Sequence, residues 1–135
     1  MKNKIILVIT LILVVVTISG YLVVDHFFPF APPIPYPSIE YITSISISND
    51  DMDSNTTVPD FVRIILSISN SKPTRKMSVN DFPSVRPYYR IEVLTDERMF
   101  NYYIFEENNK VYIELPYEGI YIVESEILEV ISGSM

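Results

Sequence analysis

Cysteine and tryptophan are absent from this chain, histidine occurs once and glycine three times. Without cysteine no disulfide staples the fold, no lipid can be attached at a cysteine, and thiol redox chemistry is excluded. The single histidine, His26, stands beside a long apolar run rather than in the body of the chain. That position removes the commonest general base and rules out Ser-His and multi-histidine metal arrangements. Basic residues are also scarce: 10 Lys and Arg face 17 Asp and Glu, for a net charge of −7. Setting Lys2 and Lys4 aside takes the −7 to −9 for everything downstream, a balance that repels nucleic acid and anionic headgroups.

What the chain does have is an uncharged apolar run from Ile5 to Val24, behind Lys2 and Lys4 and ahead of Asp25. At about 1.5 Å per helical residue it reaches roughly 30 Å, the depth of a bilayer's hydrocarbon core. A cleavable signal peptide is the competing reading, with Thr17-Ile18-Ser19 as its small-residue site. Tyr21, Leu22, Val23 and Val24 carry the apolar stretch past that site, and no Ala-x-Ala is present, which favours a retained transmembrane helix over residues 5–24. The lysine bias places residues 1–4 in the cytoplasm and the remainder outside, as a single-pass membrane protein. Phe27, Phe28 and Phe30 then fall at headgroup level. Pro29, Pro32, Pro33, Pro35 and Pro37 favour extended polyproline II, so residues 25–37 read as a semi-rigid stem holding a domain roughly 25–30 Å off the bilayer.

Residues 38–135 suffice for one small domain. Ile39, Tyr41, Ile45 and Ile47 alternate with polar residues as a half-buried strand. Thr57-Val58-Pro59-Asp60 places a capping hydroxyl before a proline and a carboxylate, and Phe61, Ile64, Ile65 and Ile68 follow at helical spacing, which predicts a helix over 58–69. Val62, Ile64, Leu66 and Ile68 also alternate, so a second strand stays open there. Beyond a polar connection from Asn70 to Pro87, strands are predicted over 88–95, 100–106, 110–115 and 120–123. Glu107-Asn108-Asn109 makes one hairpin, and Pro116-Tyr117-Glu118-Gly119 turns with Gly119 as its permissive residue. A helix over 124–132 closes the chain, with Gly133 at its C-terminal cap. The expected fold is α+β: an antiparallel sheet of four to five strands with two helices, in the order strand, helix, strands, helix.

Lys72-Pro73-Thr74, Ser78-Val79-Asn80-Asp81-Phe82-Pro83 and Lys110-Val111-Tyr112-Ile113-Glu114, running into Pro116-Tyr117-Glu118-Gly119-Ile120-Tyr121, carry a resemblance. Over roughly residues 38–131 the chain resembles an uncharacterised family of short, membrane-anchored extracytoplasmic domains of Gram-positive bacteria. The resemblance implies a location and a fold, and it transfers no activity and no functional residue.

No catalytic residue is assigned and no cofactor is implied. Ser69-Asn70-Ser71-Lys72 and Ser78-Val79-Asn80 match two of the three elements of penicillin-recognising enzymes, but no Lys-Thr-Gly follows and the pattern reads as coincidence. Asp51, Asp53 and Asn55 alternate as in the first half of a calcium loop; Thr56 replaces the turning glycine and Val62 the bidentate glutamate, leaving at most a weak calcium site. Two classes of function remain. One is a membrane-tethered extracytoplasmic module that binds an envelope protein partner and no nucleic acid. The alternative is an envelope hydrolase working through carboxylates, or a calcium-binding module. If Ile91, Val93, Tyr102, Ile104, Val111 and Ile113 face the core, alternation sends Tyr88, Arg90, Tyr103, Phe105 and Tyr112 to the opposite face. Aromatics beside an arginine suit a binding hot spot, unless a helix covers them as a second core layer.

Overall fold

The computed structural model describes residues 1–49 and 61–134, and the chain divides into two compact units, Met1–Phe30 and Ala31–Met135. The first unit is dominated by α1 (Lys2–Phe27), whose most apolar 18-residue window has a mean hydropathy of 2.8 and none of whose residues is buried. It is long and apolar enough to cross a membrane. Two of its hydroxyls are turned back on the helix: that of Thr10 donates to the Ile6 carbonyl at 3.0 Å and that of Thr17 to the Leu13 carbonyl at 2.8 Å. In hydrocarbon such bonds spare each hydroxyl the cost of an unmet donor.

The second unit is α+β. Strands β1 (Ile42–Asn49), β2 (Lys72–Pro73), β3 (Tyr88–Thr95), β4 (Met99–Glu107), β5 (Lys110–Leu115) and β6 (Gly119–Val123) form one six-stranded sheet in the order β1-β3-β4-β5-β6-β2. Every pairing is antiparallel. The strand number exceeds the four to five expected because β2, too short to show any alternation, adds an edge beside β6. Helices α2 (Phe61–Ser69) and α3 (Glu126–Ser134) complete the unit.

Register explains the core. Ile47 faces Ile91, Ile91 faces Tyr102, Ile104 faces Ile113 and Ile113 faces Tyr121, so one sheet face is a continuous apolar layer. It clusters with Ile64, Ile65 and Ile68 from α2 and Ile127, Val130 and Ile131 from α3. Val62 and Leu66 of α2 are exposed, which resolves the period-two alternative there in favour of the helix. Its capping residues, Thr57–Asp60, lie outside the described residues. Ile39–Tyr41 is a single 3-10 turn rather than the start of β1, and it leaves Tyr41 exposed. Gly133 lies inside α3, not at its cap.

The proline stretch requires a correction. Ala31, Ile34 and Pro37 are buried, at every third position, matching the three-residue turn of polyproline II. That conformation makes no internal hydrogen bonds, and here two core tyrosines supply them. The Tyr121 hydroxyl donates to the Pro32 carbonyl at 2.9 Å and the Tyr102 hydroxyl to that of Pro35 at 2.8 Å. The Ala31 N–H donates to the Thr74 carbonyl at 2.9 Å. Residues 31–37 are thus part of the folded domain, not of a spacer.

Two turns show how local chemistry sets the register. Asn108 and Asn109 adopt φ of 53° and 59°, the left-handed pair of a two-residue hairpin joining β4 to β5. In the β5–β6 turn the left-handed residue is Tyr117, at φ 62°, and Gly119 has no positive φ. Glycine is needed at 119 for space instead, because a β-carbon there would sit 2.5 Å from that of Ala31.

Candidate functional site

Both helices lie against the core face, so neither covers the opposite face of the sheet. That face carries Ser44, Ser46 and Ser48 from β1, Tyr88, Arg90, Glu92 and Leu94 from β3, and Tyr103 and Phe105 from β4, with Tyr112 and Glu114 from β5. The register brings the expected residues together: Tyr88 is opposite Phe105, Arg90 opposite Tyr103, and Phe105 opposite Tyr112.

The five residues do not share one environment. Phe105 and Tyr112 are 4% and 8% exposed and stack at 5.5 Å. What covers them is the irregular segment 74–87, which sequence periodicity does not mark. It continues the edge of β6 first, with the Thr74 N–H donating to the Ile120 carbonyl and the Ile120 N–H to the Lys76 carbonyl, both at 3.1 Å. The Lys76 ammonium then lies 5.2 Å from the centre of the Tyr112 ring and 3.5 Å from Glu107. Buried Ser78 donates its hydroxyl to buried Glu114 at 2.6 Å. At the far end the Tyr117 hydroxyl donates to Asp81 at 2.6 Å, a bond that, with the Asp81 charge, holds the Tyr117 phenol above its ordinary pKa. Aromatics expected at a binding surface are here a second core layer under a strap.

Tyr88, Arg90 and Tyr103 lie on the other half of the face. The Tyr88 and Tyr103 rings meet edge to face at 5.6 Å, and the Arg86 guanidinium lies 5.7 Å from the Tyr88 ring centre. Arg90 is exposed and ion-paired with Glu92, which also accepts from the Ser46 hydroxyl at 3.3 Å. Leu94 and Met99, opposite one another, are exposed beyond them. Charge on this face is mixed. Lys72, Arg90 and Lys110 are on it or its edges and Arg75, Lys76 and Arg86 are in the strap that crosses it, while Glu92, Glu107 and Glu114 share the face and Asp81 the strap, with Arg90 paired to Glu92 and Lys76 to Glu107.

Elsewhere, Arg63, Ser67, Asn70, Glu124 and Glu126 line a shallow cleft of about 220 Å³ between α2 and α3. Pro87, Tyr89, Asn109 and Leu128 are among the residues of an open groove of about 530 Å³ beside the β4–β5 hairpin. Among the described residues no three His, Asp or Glu side chains converge as metal ligands. Asp51, Asp53 and Asn55 lie outside those residues. Ser69 of the Ser-x-x-Lys pattern donates its hydroxyl to the Leu66 carbonyl at 2.9 Å, and Lys72 is exposed on β2.

No curated protein matches the chain. It is similar to a protein from Ruminococcus gnavus whose structure was determined by NMR: 31% identity over 72% of this chain and 98% of that one, with a TM-score of 0.54. Residues 31–122 match the family model DUF5301, described as a domain of unknown function (DUF5300). The match opens at Ala31, where the folded unit itself begins. On a family match of that extent, the chain belongs to the DUF5301 family.

Proposed function

We propose that this protein is a membrane-tethered, extracytoplasmic binding module: α1 is retained as a single-pass anchor with Lys2 and Lys4 on the cytoplasmic side, and the open half of the second sheet face docks a protein partner in the cell envelope. The observation that carries the binding role is the division of that face. One half is sealed by the strap over Phe105 and Tyr112, while on the other Tyr88 and Tyr103 are half-buried and Arg90 is exposed, with exposed Leu94 and Met99 further along the same face beyond Glu92 and Asn101. Aromatics and an arginine are the residue types on which interface energy concentrates. The length and hydropathy of α1 and the lysines ahead of it support the anchor and its orientation.

The test uses the full chain in intact cells. A photo-crosslinking residue at Tyr103 should give a discrete adduct that Arg90→Glu abolishes, while the same probe at Leu66, on α2, should not. Protease added outside should remove the domain and leave a membrane-held stub. Adducts that are identical from both positions, or indifferent to Arg90→Glu, count against the docking face. A domain released into the medium counts against the anchor alone.

A further inference from the structure

The two edges of the sheet differ in kind. The β2 edge carries the usual protections against pairing: it is two residues long, one of them a proline and the other a lysine, and the chain beyond it bonds on to β6. The β1 edge is eight residues, Ile42–Asn49, with no charge and no proline, and its bulge lies at the very start, between Ile42 and Ser44. Among the described residues β1 has a strand on one side only. The sequence of this edge, Ser44-Ile45-Ser46-Ile47-Ser48, also reads the same in both directions.

We propose that β1 is a self-association edge whose partner is a second copy of this chain, paired antiparallel about a two-fold axis through Ser46. Antiparallel pairing centred there sets Ser46 against Ser46, Ser44 against Ser48, and Ile45 against Ile47. Because residues directly opposite point to the same side, every serine meets a serine and every isoleucine an isoleucine. No other register of this edge is matched so fully, and an isologous contact closes at two copies. Ile45 and Ile47 are already buried beneath their own domain, so the contact adds chiefly main-chain hydrogen bonds and little apolar area. It is therefore a weak contact, of the kind that confinement of two tethered copies strengthens. The axis runs perpendicular to the sheet, so Tyr88, Arg90 and Tyr103 of both copies would face the same way. The inference stands without the docking role proposed above.

The absence of cysteine makes the test direct. In full-length protein in membranes, Ser46→Cys should form a disulfide-linked dimer under mild oxidation, since opposed residues lie about 4.5–5.5 Å apart at Cα, within disulfide reach. Ser44→Cys alone should not, because its twin would lie roughly 13 Å or more away; the double variant Ser44→Cys/Ser48→Cys should restore the dimer. Ser46→Lys opposes like charges at the axis and should abolish dimers of otherwise unaltered protein in detergent, with circular dichroism unchanged. A monomeric mass for the unaltered full chain at the highest attainable concentration would overturn the proposal. Equal crosslinking of Ser44→Cys and Ser46→Cys, or none from Ser46→Cys in a folded protein, would do so too.

Discussion

Gly119 and Ala31 touch so closely that a β-carbon on the glycine would lie 2.5 Å from the β-carbon of the alanine. The contact joins the start of β6 to the proline stretch at 31–37, and the atom in the way is a methyl fixed to the backbone, which has no rotamer to yield. Gly119→Ala should therefore cost about 1–3 kcal/mol by overpacking. Ala31→Gly should recover a large part of that loss in the double variant. Denaturant melts of all three variants check the coupling, and additive effects would deny it.

Ile64 is fully buried in α2 and its neighbour Arg63 is exposed. Ile64→Asp drives a carboxylate into the apolar layer and should cost several kcal/mol, a large share of the total stability of so small a domain. Arg63→Asp should change stability by about 0.5 kcal/mol or less. Equal, small effects in thermal melts would mean that α2 does not pack as described.

Tyr102 and Tyr121 link the proline stretch at 31–37 to alkaline stability. Burial, opposed in part by Arg98, raises the Tyr102 phenol well above its ordinary pKa of 10.0, and burial with the charge of Glu118 raises that of Tyr121. Above pH 10 the native state thus keeps protons that the unfolded chain releases. Their contribution is complete below about pH 10 and is lost as pH rises through the native values. Replacing both by Phe should lower stability at neutral pH by about 1 kcal/mol per lost hydrogen bond. The same variant should flatten the fall in melting temperature between pH 9 and pH 12, and an unchanged slope would refute the assignment.

Period-two alternation made β3, β4 and β5 legible in the sequence, because each buries one face and the side-chain period is fixed by the pleat. Asn108-Asn109 announced its hairpin through the positive φ asparagine tolerates. The proline stretch at 31–37 departs from the spacer its sequence suggests because proline density signals an unpaired backbone whether or not that backbone packs. Its signal was the three-residue spacing of Ala31, Ile34 and Pro37, a period that matches neither helix nor strand. The segment 74–87 has no period at all, and its grip on the sheet comes from single residues, Lys76, Ser78 and Asp81, whose partners lie far along the chain. For that reason the candidate face was legible as a set of side chains but not as two halves.

The division of that face separates the rings that hold the sheet together from those of the proposed docking half. Tyr112 is buried against Phe105 beneath Lys76, so Tyr112→Ser removes a packed ring and leaves a cavity, at a cost of about 3 kcal/mol. Tyr103 is half-buried and its ring contact is an edge-to-face pairing with Tyr88, so Tyr103→Ser should cost about 1 kcal/mol. Combined with Arg90→Ala, it should still leave a cooperative melt while eliminating the adduct captured from a probe at Tyr88. If Tyr103→Ser destabilises as much as Tyr112→Ser, both rings are core and the open half loses its aromatic anchor. If the adduct persists in the folded double variant, docking does not depend on this half of the sheet.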